Sequence, residues 1–181
     1  MKNKRLQIAF IIGLMLVLVS CGTKQKVITT SVKDIPHDTV ESVLPISDVI
    51  SVAEAVEMYE TPNLIPIITK KYGYKLKKGY EVYRLDNFSK MYYKNCVLSK
   101  LLTKTAYADY PKPLAKGVSS YIAFKDGAMI IAVFNLPAYN NLVAQVKANG
   151  FVLDMQGSED IYKKGERTIA CYQAGKSIRI Q

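Results

Sequence analysis

The chain has 181 residues, with 25 lysines and arginines against 15 aspartates and glutamates, a net charge of +10. That length suits one domain, or two small similar ones, with a reasonable buried core. A single histidine, His37, and the lack of any CxxC or HxxxH spacing argue against a metal centre, and no GxSxG, HExxH, Walker-A or GxGxxG pattern points to a reaction or a cofactor.

The first residues carry Lys2, Lys4 and Arg5 and no acid. An uncharged run over 8–19 follows, and then Ser20-Cys21-Gly22. A basic flank, an apolar core of about 7–15 residues and a small residue at the cut make up a secretory signal. The run is too short to span a membrane comfortably, which takes about 20 apolar residues. Leu18-Val19-Ser20-Cys21 resembles the lipobox of bacterial lipoproteins, and this resemblance covers residues 1–22 only. It implies a signal peptide over 1–20, cleaved between Ser20 and Cys21, with a diacylglycerol on the Cys21 sulfur and usually a further acyl chain on the new amino group. Each buried methylene contributes roughly 0.8 kcal/mol, so two or three chains hold a water-soluble body on a membrane without a spanning helix. Within that family Gly22, where an aspartate would retain the protein at the inner membrane, points to the outer membrane. The absence of an acidic cluster after the cysteine points to its periplasmic side.

Cleavage would leave 161 residues with a net charge of +7. An exported basic protein does not ordinarily meet nucleic acid. Its counter-charges are lipid phosphates, acidic glycans or acidic partner proteins.

Residues 21–45 read as a lipidated tether, rich in Thr, Ser, Lys and Asp and punctuated by Pro36 and Pro45. Val-Ile-Thr-Thr-Ser-Val over 27–32 has the composition of an edge strand inside that linker. His37 sits there too, a poor general base because a base needs a fixed pose. The globular part, 46–181, opens with a predicted helix over 47–60, where Val49, Val52, Ala53, Val56 and Tyr59 recur at helical spacing. Glu54, Glu57 and Glu60 face the other way, a row seen more often on solvated helix faces than in calcium or catalytic sites. Thr61-Pro62 is a good N-cap and first-turn pair for a second helix ending at Gly73, although Pro66 disturbs it.

Strands are predicted over 74–78, 80–85 and 90–98, separated by turns at Lys78-Gly79 and Asp86-Asn87. The spacing predicts a short helix over 98–105, and Tyr110-Pro111-Lys112-Pro113 marks an extended boundary. Strands over 120–125 and 128–134 flank Asp126-Gly127, a dipeptide favoured in two-residue hairpins. A helix follows, with Asn135 at its cap, Pro137 near its start and Gly150 at its stop. Strands are then expected over 151–155, through Ile161-Tyr162, over 167–173 and over 176–181. The class is α+β, with mostly antiparallel strands and helices packed on one face.

The two halves of the domain, 46–113 and 114–181, look related. Gly73-Tyr74-Lys75-Leu76 after one helix matches Gly150-Phe151-Val152-Leu153 after the other, at an offset of 77. Tyr83 matches Tyr162 at 79, and Cys96 matches Cys171 at 75. Near-constant offsets suggest a repeated helix-then-strands unit.

Once Cys21 is lipidated, Cys96 and Cys171 remain. The periplasm permits a disulfide between them, and both also lie in strand-like segments where a free cysteine serves as a small core residue. Both readings stand at this point. The segment 70–84 departs most from average composition, because Lys70, Lys71, Lys75, Lys77, Lys78 and Arg84 interleave with Tyr72, Tyr74, Tyr80 and Tyr83. In strand alternation Tyr72, Tyr74 and Leu76 share one face, and Lys75 and Lys77 the other. Such a stripe suits phosphate or uronate groups, with tyrosines to stack on sugars; it also suits an edge strand guarded by lysines. Asp154, Glu159 and Asp160 read as solvated loop acids. The expectation is a non-enzymatic binding or accessory module for an anionic glycan, a lipid headgroup or a partner protein. The alternatives are a hydrolase or transferase whose site the sequence does not display, and a structural subunit of an outer-membrane assembly.

Overall fold

The computed structural model describes residues 43–181. The signal peptide over 1–20 with its Ser20 and Cys21 cleavage and lipidation sites, His37, the segment 27–32 and all but the last three residues of the 21–45 tether lie outside the described residues.

The first helix, α1 (Val52–Glu60), begins five residues later than its apolar spacing predicts. Ser51 is the residue that caps it: its Oγ accepts from the Glu54 backbone N–H at 3.2 Å and donates to the Glu54 carboxylate at 2.8 Å. These bonds satisfy donors that a helix start otherwise leaves free. The predicted second helix is a 3-10 turn, Pro62–Leu64, followed by α2 (Ile65–Lys71). The break lets Pro66 fall at the start of α2, where its missing N–H is not needed.

Strand β1 (Lys75–Val82) pairs antiparallel with β2 (Asp86–Lys94). Lys78-Gly79, expected to be a turn, lies inside β1. Gly79 has φ 69°, and the strand changes phase there. Lys77 and Tyr80, three residues apart, both meet the Tyr107 ring, and Phe88 and Met91 opposite share one core in the same way. The turn is instead at Tyr83-Arg84-Leu85, with Arg84 at φ 59°.

After β2 the chain makes an excursion over 95–118 that rejoins the sheet only briefly, at its edge. It contains β3 (Cys96–Val97), β4 (Ala106–Tyr107) and β5 (Lys112–Pro113). The predicted helix over 98–105 is absent. Its backbone donors go to non-helical acceptors: Ser99 N–H donates to the Tyr80 hydroxyl on β1, and Leu102 N–H donates forward to Ala106 O in a local turn.

β6 (Ser120–Lys125) and β7 (Ala128–Val133) form the expected hairpin, with Asp126 at φ 49° and Gly127 at φ 77° in the twist-matched turn. α3 (Leu136–Ala148) follows, its Asn135 side chain accepting from the Ala138 N–H at 2.8 Å. β8 (Val152–Met155), β9 (Asp160–Lys164), β10 (Arg167–Tyr172) and β11 (Ser177–Ile180) complete the fold.

Nine strands make one sheet in the order β4-β1-β2-β6-β7-β11-β10-β9-β8, antiparallel except for β1 with β4, and β3 pairs with β5 apart from it. The fold is thus α+β. The three helices cover one face over a core that includes Ile50, Met58, Ile122, Leu142, Ile169 and Ile178. The Gln145 side chain ties the helices together, accepting from Val52 N–H at 2.9 Å within that core. A second core on the opposite face gathers Tyr80, Val82, Phe88, Met91, Tyr107 and Tyr121 beneath the excursion.

The element order repeats. A helix and four strands, α2-β1-β2-β6-β7, recur as α3-β8-β9-β10-β11, and the two sets meet antiparallel at β7 and β11. Gly73 and Gly150 stop their helices alike, at φ 75° and 82°. The buried aromatic after each donates its N–H five residues back, Tyr74 to Thr69 O and Phe151 to Val146 O. The other two matched pairs are not equivalent. Tyr83 is at a hairpin tip and Tyr162 is mid-β9; Cys96 is in β3 and Cys171 in β10. β6 and β7 complete the first set, so the topological boundary follows Val133 and not residue 113.

A disulfide between Cys96 and Cys171 does not form. Both are free buried thiols. β6, β7 and β11 lie between β2, which leads into Cys96, and β10, which holds Cys171. Four interstrand steps of about 4.8 Å put them roughly 19 Å apart, against the roughly 7 Å limit for bridged Cα atoms.

Candidate functional site

The lysine-rich stripe does not fold into one site. Lys70 is exposed in the last turn of α2, and Lys71 is paired with Glu54 at 2.6 Å. Lys75 and Lys77 share the face of the excursion, as alternation predicts, with Tyr74 buried on the helix side. Lys78 lies opposite Lys90, and Arg84 stacks on Tyr83 at the hairpin tip. Lys77 and Lys78 do line a cavity of about 370 Å³, together with Lys104, Glu81, Leu101 and Tyr107. The three glutamates of α1 do not converge. Glu54 binds Ser51, Lys71 and Tyr72, Glu60 pairs with Arg167 at 3.0 Å, and Glu57 is exposed. Asp154 pairs with Lys163 at 2.7 Å, and Asp160 accepts weakly from Gly157 N–H at 3.4 Å. Among the described residues no three His, Cys, Asp or Glu side chains gather as a metal site would require.

A larger cleft, of about 540 Å³, opens on the sheet face away from the helices. Its floor is β7, where Ala128 and Ala132 flank Ile130. Small side chains at alternate positions leave a trough that larger ones would fill. One wall is aromatic. Phe88 lies 6.3 Å from both Tyr110 and Tyr121, and Tyr121 lies 6.1 Å from Phe134. Tyr110 reaches this wall from the excursion. The far wall is Tyr172 and the β10–β11 turn. Gly175 fixes Tyr172 there, because a Cβ at that position would lie 2.6 Å from the tyrosine ring.

Two polar groups close the ends. At one, the Asp86 carboxylate accepts from both the Tyr110 hydroxyl and the Lys125 ammonium. Burial raises the Asp86 carboxyl, but these two bonds and the lysine charge outweigh it and hold the group below the usual carboxylate range. The bond to Asp86 pushes Lys125 up, whereas burial, then the Asp86 bond and charge, push the Tyr110 phenol up. At the other end Arg179 donates to Glu159 at 2.6 Å, while its buried Nε has no hydrogen-bond partner among the described residues. The side chains balance in charge: Asp86, Asp126 and Glu159 against Lys125, Lys176 and Arg179.

The sequence pattern places Tyr110 in an extended boundary, Lys125, Tyr172 and Arg179 in predicted strands, Asp86 in a turn and Glu159 among loop acids, and singles out none of them as a cleft residue. The Asp86 bonds span 24 and 39 residues along the chain, so no local pattern announces them. The aromatic content of 10% was the available signal, and it did not say which rings would share a wall.

No family model, curated protein or solved structure matches the chain.

Proposed function

We propose that this chain is an exported lipoprotein, cut between Ser20 and Cys21 and held by lipid on Cys21 at the periplasmic side of the outer membrane, whose folded domain is a binding module for a short saccharide. The lipobox resemblance supports the anchor. Among the described residues no helix is long and apolar enough to cross a membrane. The cleft on the open sheet face carries the binding half of the proposal. Its volume falls in the range of roughly 300–1,000 Å³ typical of small-ligand sites. Tyrosine and phenylalanine faces on its walls can lie against sugar rings, and fixed charge pairs at its ends can bond to hydroxyls. Because the charges cancel, sugar rings need carry no acidic group to fit.

Binding is preferred over catalysis on the protonation of the polar end. Asp86 is held down while Lys125 and Tyr110 are pushed up, so each group is locked away from neutral pH, where acid–base catalysts work best. The test is calorimetric titration of the soluble domain, residues 22–181 made without the signal, with envelope-type oligosaccharides. The expected result is binding that Tyr110→Ala and Tyr172→Ala each weaken at least tenfold without loss of fold. Saccharide binding that ignores both substitutions, or no binding across neutral and acidic glycans, would reject the cleft as the site.

One observation favours a second reading, an accessory subunit of an envelope assembly. β8 is one of the sheet's two edge strands, and all four of its residues are exposed, Val152 at 71%. An apolar open edge is where another protein's strand adds. A pull-down from native membranes with the lipid intact separates the two: a partner lost on Val152→Lys supports the subunit.

A further inference from the structure

The excursion over 95–118 exposes large apolar side chains and unpaired cations together. Leu101 and Leu102 are each half exposed, and Val97 and Leu114 are similarly open. Lys100, Lys104, Lys112 and Lys116 lie among them, with Asp109 the single acid of the segment. None of the four lysines forms an ion pair among the described residues. The hairpin tip of β1 and β2 extends this surface, with Leu85 exposed at 69% beside Arg84 and Tyr83. Backbone bonds make the strip continuous: Tyr83 N–H to Tyr107 O at 2.9 Å, Ala108 N–H to Lys100 O at 2.8 Å, and Leu102 N–H to Ala106 O at 2.8 Å. Beside Leu101, the 370 Å³ cavity collects Lys77, Lys78 and Lys104 against one acid, Glu81, which accepts from the Thr105 hydroxyl at 3.0 Å.

We propose that this strip is a membrane-docking surface: Leu101, Leu102 and Leu85 enter the interface of an anionic bilayer while Lys77, Lys78 and Lys104 take a lipid phosphate in the cavity beside them.

Three features select a bilayer as the occupant. The exposed leucines would add nothing to a site for a free sugar or a free phosphate. The cations outnumber the acids around them, so the surface complements a negative one. The leucines also stand in short groups beside cations, Leu101-Leu102 between Lys100 and Lys104 and Leu85 next to Arg84, with the Leu85 and Leu102 amides already bonded within the protein. A bilayer interface needs only apolar tips and surrounding positive charge, and lysine stems reach from the apolar level to the headgroups. The surface is independent of the lipid on Cys21. Its role would be to set how the domain lies on the membrane, where a tether alone leaves it free to turn.

The experiment is co-sedimentation of the soluble domain, residues 22–181 without lipid, with vesicles of 70% phosphatidylethanolamine and 30% phosphatidylglycerol and with vesicles of pure phosphatidylcholine. Because the protein carries no lipid, the result does not depend on whether Cys21 is acylated. The native domain should sediment with the anionic vesicles at least tenfold more tightly than with the neutral ones. Lys77→Glu/Lys78→Glu/Lys104→Glu should lose that preference. Leu101→Asn/Leu102→Asn should weaken binding severalfold and make the remainder fully sensitive to 0.5 M salt. Both sets change exposed or half-exposed residues, and unchanged thermal melts would show that the fold survives. Equal binding to both vesicles, no binding to either, or leucine variants that bind like the native domain would overturn the proposal. Leucine-dependent self-association in sedimentation velocity, with no vesicle binding, would assign the strip to a second copy of the chain instead.

Discussion

Tyr80→Phe removes one oxygen from the point that holds the excursion to the sheet. The Tyr80 ring is fully buried and stacked on Tyr107 at 4.2 Å. Its hydroxyl donates to Asp109 O at 2.8 Å and accepts from Ser99 N–H at 3.2 Å. Phenylalanine keeps the stack and loses both bonds. At about 1 kcal/mol for each bond, the loss is about 2 kcal/mol, and more if the Ser99 N–H finds no water. A domain of this size moves its midpoint about 4 °C per kcal/mol, so the melting temperature should fall by about 8 °C. Tyr80→Ala, which also removes the ring, should cost about 3–5 kcal/mol more through the cavity it leaves. Calorimetry reads the first quantity. Hydrogen exchange reads its location, because amides over 95–110 should lose protection in Tyr80→Phe while those of β10 and β11 keep theirs. A midpoint within 1 °C of native, or protection lost evenly across the sheet, would refute the claim that this hydroxyl pins the excursion.

Three further outcomes follow from particular residues. Gly79→Ala should destabilise by about 1–2 kcal/mol in urea titrations: at φ 69° the added Cβ meets no atom within 4 Å, so the cost is backbone strain alone. Because the folded-state pKa of Asp86 lies below its unfolded value, its ionic bonds stabilise fully above about pH 5 and fade as pH falls below about 4 toward that lower value. The stability gap between the native domain and Asp86→Asn should therefore be flat from pH 7 to 5 and shrink by pH 3; a gap that is constant down to pH 3 would contradict the network. Burial pushes the Cys96 thiol up to about 11 and Cys171 up to about 12, so the folded domain lacking Cys21 should resist a thiol reagent at pH 8 and yield two thiols once unfolded. Zero thiols in the unfolded protein would restore the disulfide.

What the residues announce in advance are the features whose physics is local. Asp126-Gly127 makes its hairpin because both positions accept positive φ, and Asn135 caps α3 with its own side chain. Gly73 and Gly150 end helices for the same short-range reason. Errors arise where one local signal serves two structures. A glycine after lysine reads as a turn, yet Gly79 uses its positive φ to shift the phase of an unbroken strand. Leu98, Leu101 and Leu102 have helical spacing, yet the Ser99 amide bonds to the Tyr80 hydroxyl 19 residues back and the Leu102 amide bonds forward to Ala106 O, the reverse of the helical direction. The basic stripe was visible as composition, whereas its division between two faces and a hairpin tip depends on that same phase shift. The cleft was least legible. Asp86, Tyr110 and Lys125 each look ordinary in place and acquire meaning only when β2, the excursion and β6 meet.

The two repeated sets of elements differ mainly in one connection. In the second set β9 passes to β10 through a tight turn at Gly165; in the first, β2 passes to β6 through the whole excursion over 95–118. That insertion lies over one half of the open sheet face and leaves the other half uncovered. A twisted sheet alone offers little concavity, and small-ligand sites are concave. The cleft forms at the step, where Tyr110 at the edge of the insertion faces Tyr172 across the bare strand β7. The same insertion bears exposed Leu101 and Leu102 with Lys100 and Lys104 beside them, for which the second set has no counterpart segment. Both proposed surfaces therefore depend on the element that breaks the repeat. The repeated helices and strands supply a stiff, doubly packed base with β7 as the cleft floor, and the insertion adds a wall and a rim to it.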